Sequence, residues 1–266
     1  MSTNATPTVK RRDWRTILFV VVAAPFTFLT LTEGIAGVLV LWGVQLGDPP
    51  LGPDIHRWHD AQWGTLFGLL LGGSLLALLW RPRTKPLLMQ FFVLGLAALT
   101  LLSTPWGGWD IPIFLAPFLL VIAAYPAPRA LLDFSRKGPL SRLLLALSLL
   151  AAVLMFPDTW RSLLLQLANT DEHAQEGDWI TVVILAILLI LGGVLAATKR
   201  PGWQVLGILL GLAFLNLGVA AITVPNQPGS WGVVGGIGSL LGGLAFIAAT
   251  MWESRTTMGA RAPTEA

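Results

Sequence analysis

Two stretches decide most of what this chain can fold into. Residues 17–46 contain one ionisable side chain, Glu33, and residues 179–198 contain none. A helix crosses a bilayer with about 20 predominantly apolar residues, so both stretches read as membrane spans. The rest of the chain agrees. Charged residues make up 12% of it and mean hydropathy is +0.72, against roughly a quarter charged in a soluble domain. The expected fold class is all-α, a polytopic integral membrane bundle.

Apolar runs between polar breaks give eight expected spans, about 16–46, 60–80, 86–104, 111–125, 140–156, 179–198, 203–224 and 231–252. The fourth is short and interrupted by Pro112 and Pro117. With the N-terminus inside, Lys10, Arg11, Arg12, Arg15, Arg81, Arg83, Lys85, Arg129, Arg136, Lys137, Arg142, Lys199, Arg200, Arg255 and Arg261 share one side. Only Arg57 and Arg161 fall on the other. The positive-inside bias therefore puts both termini in the cytoplasm and the chain in the cytoplasmic membrane. The twelve tryptophans all fall near expected span ends, the depth at which an amphipathic indole belongs. The apolar stretch of the first span exceeds a signal peptide's roughly 7–15 residues, so it is expected to be retained. A lysine-poor, leucine- and alanine-rich composition points to a GC-rich bacterial host.

An internal echo accompanies this pattern. "WGTLFGLLLGGSLLALLWRPRTKP" from Trp63 resembles "WITVVILAILLILGGVLAATKRP" from Trp179. Each runs from tryptophan through paired glycines to a basic-proline turn. The expectation is a parallel 4+4 repeat with halves 1–133 and 134–266, joined through the loop at 126–139. Small residues at four-residue spacing mark the packing faces: Gly64, Gly68 and Gly72, then Gly207 and Gly211, then Gly232 and Gly236. In lipid, close backbone approach through such residues is a principal attraction between helices.

Several functions are excluded. Cysteine is absent, which removes disulfides and thiolate metal sites. The basic residues are dispersed among short connections, so no nucleic-acid surface forms. "GVVGGIG" neither follows a strand nor opens a βαβ unit, so it is no dinucleotide fingerprint. All four lysines lie outside the spans, which removes a retinal Schiff base. Ser74, Ser103, Ser148 and Ser239 have no histidine at matching depth, and nothing else favours an enzyme.

Two places could carry chemistry. Glu33 is the one ionisable residue inside an expected span, and an intramembrane acid is a functional candidate by default. Asn216 is a second polar residue at depth. The other place is "DIHRWHD", residues 54–60. Asp54 is an expected N-cap, and on a helix from there His56, His59, Asp60 and Trp63 share a face. That face differs from the glycine seam and is expected to address the outer aqueous mouth. Two imidazoles and a carboxylate suit zinc, copper or iron. If the halves are duplicated, "DEHAQEGD" at 171–178 could supply a further ligand such as His173 or Glu176. Haem would need histidines at membrane depth on two helices, and no span holds one. Residues 157–178 are expected to form an outer loop containing an interfacial helix, from the spacing of Trp160, Leu163, Leu164, Leu167 and Ala168.

Three functional classes fit, in this order. The first is an accessory, scaffold or assembly protein without catalysis or cofactor, whose partners are the bilayer and other membrane proteins. The second is a small-solute or proton-coupled carrier using Glu33. The third is an outward-facing protein with a divalent metal on His56 and His59.

Overall fold

The computed structural model describes residues 13–41, 56–107, 110–135 and 139–259. The described residues are mostly helical, with no strand among them. The helices are α1 (Trp14–Leu41), α2 (Arg57–Trp63), α3 (Gly73–Leu79), α4 (Pro86–Gly107), α5 (Asp110–Leu115), α6 (Phe118–Ala124), α7 (Arg142–Ala168), α8 (Glu172–Glu176), α9 (Asp178–Ala197), α10 (Trp203–Thr223) and α11 (Gly232–Gly259). Between α2 and α3 the helix continues as a π-helical segment, Gly64–Gly72. Seven stretches are long and apolar enough to cross a membrane: Trp14–Leu39, Arg57–Leu79, Pro86–Trp106, Arg142–Ala168, Asp178–Ala197, Trp203–Thr223 and Gly232–Thr256. They coincide with seven of the eight expected spans. In place of the fourth stand the two short helices α5 and α6, separated by a turn at Ala116 and Pro117.

The expected interfacial helix at 157–168 is instead the continuation of α7. This helix runs 27 residues, with Pro157 inside it. At 1.5 Å per residue it is about 40 Å long, longer than the ~30 Å hydrocarbon core. Its last turns pack on α8 and α9. Gln166 makes that contact specific: its Nε2 donates to Ala174 O at 2.7 Å, and its Oε1 accepts from Ile180 N at 3.0 Å. The second bond satisfies one of the N–H groups left free at the start of α9.

Glycines set the closest approaches. A Cβ on Gly34 would lie 2.3 Å from Gly68 Cα, and one on Gly37 would lie 2.5 Å from Asp60 O and 3.0 Å from Gly64 Cα. Here α1 and the π-helical segment meet backbone to backbone. Gly72 faces Thr30 Oγ1, Gly207 faces Thr250 Oγ1, Gly211 faces Gly243 O, and Gly236 faces Gly218 O. Gly232 is different: it has φ +64° at the start of α11, with nothing closer than Pro225 O at 3.8 Å. It serves the turn rather than a helix seam. Asn216 Nδ2 donates to Thr65 Oγ1 at 2.9 Å, tying α10 to the π-helical segment.

At one end of the bundle the connections are stitched together. Asp13 pairs with Arg83, and Tyr125 Oη donates to Pro82 O at 3.1 Å. Gln90 Nε2 donates to the carbonyls of Ala130, Leu131 and Asp133. Lys199 Nζ meets Glu253 Oε2 at 2.6 Å, and Ser141 Oγ donates to Glu253 Oε1 at 2.6 Å. The start of α1 and the last turns of α11 therefore share this basic end. The Tyr125 and Gln90 bonds also show that α5 and α6 return the chain to the end where α4 began.

Candidate metal centre

The opposite end is built from the start of α2, the α8–α9 corner and the 225–231 turn. Asp171 caps α8, its Oδ1 accepting from Ala174 N at 2.8 Å and from Trp179 Nε1 at 3.0 Å. Gly177, at φ +80°, closes α8 and opens α9. That left-handed corner, which favours glycine, puts Asp178 in the first turn of α9, where a carboxylate is stabilised by the helix dipole. Across the bundle, Gln227 Oε1 accepts from Trp58 N at 2.7 Å and holds the first turn of α2.

These supports bring all three histidines of the chain into one cluster. His56 Nδ1 and His173 Nδ1 each lie 2.9 Å from the same oxygen, Asp178 Oδ2. The rings of His56 and His173 stand 4.7 Å apart between centroids, and His59 stands 4.9 Å from His173. His59 Nδ1 is 3.1 Å from Gln62 Oε1. The Trp179 indole closes one side, 5.2 Å from His59 and 5.3 Å from His173. His56 Nε2 faces Glu176 Oε2 at 3.7 Å. The cluster is buried: His56 is 5% exposed, His59 1%, His173 8% and Asp178 6%. The expectation that His56 and His59 address open water is thus corrected. The α8–α9 corner and the tryptophans cover them.

The residues divide into two sets with metal-ligand spacing. His56, His173 and Asp178 offer donor atoms within 4.8 Å of one another and are all buried; His56 with Glu172 and Glu176 forms a more exposed set. His59 and Asp60 belong to neither. Asp60 Oδ2 is buried without a hydrogen-bond partner among the described residues, as are His59 Nε2, Gln62 Nε2 and Trp58 Nε1. Asp54 lies outside the described residues.

The triad admits a direct comparison with zinc geometry. Tetrahedral ligands at about 2.0–2.1 Å stand about 3.3–3.4 Å from one another. The two Nδ1···Oδ2 separations of 2.9 Å fall a few tenths of an ångström short. As hydrogen bonds, both Nδ1–H groups donate to one carboxylate oxygen. As ligands, one donor atom from each of the three residues, all within 4.8 Å of one another, would face a single ion. Nitrogen donors of this kind match zinc, copper or iron better than calcium or magnesium, which prefer all-oxygen shells.

The other candidates lie apart. Glu33 is exposed on α1, off the seam that Gly34 and Gly37 make with the π-helical segment. It stands about 28 Å along the axis from Trp14. Among the described residues it has no hydrogen bond or ion pair. Asn216 is committed to Thr65. The supporting residues Gln62, Gln166, Gln227 and Trp179 were not among the candidates drawn from the sequence. Their partners are distant or structural, Gln227 acting 169 residues from Trp58, and no local motif marks them. Compared with family models, curated proteins and solved structures, the chain matches none.

Proposed function

We propose that this chain is a multi-pass protein of the cytoplasmic membrane that holds one divalent transition metal, zinc in the first instance. The ligands in this reading are His56, His173 and Asp178. The observation that carries it is the placement of two buried imidazole nitrogens at 2.9 Å from one buried carboxylate oxygen. Buried carboxylates are expensive unless paired or coordinated, and a bound cation would compensate this one directly. Glu176 faces the second nitrogen of His56, the position from which a carboxylate commonly orients a ligating histidine. The fourth coordination position remains for water or a substrate atom.

In this reading α5 and α6 together form a broken eighth pass, both termini are cytoplasmic, and the histidine end faces outward. The distribution of basic residues supports that orientation. The pairing of α1 with residues 57–79 and of α7 with α9 supports a duplicated origin of the halves 1–133 and 134–266. A solute carrier built around Glu33 draws no support from a side chain on the exterior of the bundle. An accessory role is compatible with the metal, which would then brace the outer end.

The test is a zinc titration of metal-stripped protein in mild detergent, followed by calorimetry. One equivalent is expected for the wild type and none for a His56→Ala, His173→Ala double variant. Saturable binding of the same affinity in the double variant would overturn the assignment.

A further inference from the structure

Beside the histidine cluster, on the far side of Trp179, lies a separate cleft of about 200 Å³. Its walls are Asp158, Arg161 and Ser162 of α7, the Trp179 indole, and the turn at 227–230. Three observations make it a binding site rather than a gap. First, one acid and one base open into the same small space, and neither forms an ion pair or hydrogen bond with another described side chain. They sit at i and i+3 on α7, yet no N···O contact joins them within 4.0 Å. Second, Ser162 adds a polar side chain only 4% exposed. Third, Gly229 has φ +75°, and a Cβ there would lie 2.8 Å from Trp179 Cζ3, so the turn seats directly on the indole.

Depth narrows the ligand class. Arg161 stands about 28 Å along α7 from Arg142, and Asp158 about 24 Å. With Arg142 at one membrane surface, Arg161 falls at the opposite edge of a ~30 Å hydrocarbon core and Asp158 about 6 Å short of it, within reach of phospholipid headgroups. The volume is below the roughly 300–1,000 Å³ of pockets that enclose drug-sized ligands, so it accepts a headgroup-sized moiety and leaves any remainder outside. The adjoining face of α7 presents Trp160, Leu164 and Leu167, all about half exposed, where an acyl chain would lie.

We infer that this cleft binds a zwitterionic ligand with a phosphate and an ammonium group, the chemistry of a phosphatidylethanolamine headgroup. Arg161 takes the phosphate, for which a guanidinium is well suited. Asp158 takes the ammonium. The proposal is independent of the metal, because none of the three triad residues lines the cleft.

The experiment measures binding to metal-stripped protein in a non-ionic detergent. The probes are dihexanoyl-phosphatidylethanolamine, dihexanoyl-phosphatidylglycerol and free phosphoethanolamine. Wild-type protein is expected to bind the ethanolamine lipid more tightly than the glycerol lipid. Arg161→Gln and Asp158→Asn each weaken the ethanolamine lipid by about tenfold, the loss of one charge-assisted contact. Only Arg161→Gln weakens the glycerol lipid. Both residues are exposed, and unchanged melting curves verify that the variants fold. Free phosphoethanolamine binding as tightly as the lipid identifies a soluble zwitterion as the source, and binding of the lipid alone identifies the bilayer. The proposal is overturned if the wild type fails to bind either ethanolamine compound, binds both lipids equally, or is unaffected by both substitutions.

Discussion

The two ends of this bundle solve the same problem in opposite ways. Each must terminate several helices and house the polar groups that the spans exclude. At the basic end the polar side chains are spent on structure. Gln90 holds three carbonyls, Glu253 takes both Lys199 and Ser141, and Lys85 Nζ donates to Ala77 O at 2.8 Å and to Trp80 O. The histidine end has comparable burial but a different balance. Two imidazoles converge on one carboxylate oxygen, while His59 Nε2, Gln62 Nε2 and Asp60 Oδ2 stay buried without hydrogen-bond partners among the described residues. Buried polar atoms left unpaired cost about 1–3 kcal/mol each, and in native proteins they call for an explanation such as water or an ion. The contrast guides where to look for function: Gln90 Oε1 is also buried without a hydrogen-bond partner at the basic end, but most such atoms among the described residues gather at the histidine end, which makes that end the candidate site.

Substitutions sharpen this contrast. The largest effect on folding is expected at neither end but at the seam that suspends α2. Gly34→Val would drive a side chain into Gly68 Cα, and overpacking backbone against backbone should cost about 3 kcal/mol, read as a lowered unfolding midpoint in detergent. Next is the basic end. Glu253→Gln removes a partner from a mostly buried ion pair and should destabilise by about 2–3 kcal/mol, while zinc binding stays unchanged. A loss of zinc with Glu253→Gln would break the division of labour between the ends. At the histidine end the signs should reverse. Glu176→Gln leaves folding nearly unaffected but lowers zinc affinity about tenfold, the usual effect of removing a group that orients a ligand. The smallest effect belongs to Glu33→Gln: on an exposed position it should change stability by about 0.5 kcal/mol or less and leave zinc binding intact.

The two kinds of end were not equally legible in the sequence. Hydropathy exposes long helices because a 20-residue apolar run has few alternatives, and Pro112 and Pro117 flagged the one weak span, now α5 and α6. The π-helical segment left no such mark, since a glycine-rich apolar run looks the same in either helical register. Around the site, the sequence connects His56 and His173 only through their matching places ahead of the two echoing stretches that begin at Trp63 and Trp179. Sequence spacing aimed the histidines at water, because nothing local says that the α8–α9 corner folds over them. For the same reason the sequence places Trp58 and Trp179 as interface anchors, whereas they are 0% and 4% exposed because the connections cover that end. Gln166 and Gln227 act as distant helix caps, a role that depends on tertiary placement and has no sequence signature.

The central claim is that His56, His173 and Asp178 form a metal site, and elemental analysis tests it most directly. The measurement is the zinc, copper and iron content of untagged wild-type and Asp178→Asn protein, purified in mild detergent without added metal or chelator. The account predicts close to one metal ion per wild-type chain and essentially none in Asp178→Asn, with both proteins folded. Metal-free wild-type protein that also fails to take up zinc on titration would contradict it, and would leave the cluster as two imidazoles hydrogen-bonded to one carboxylate.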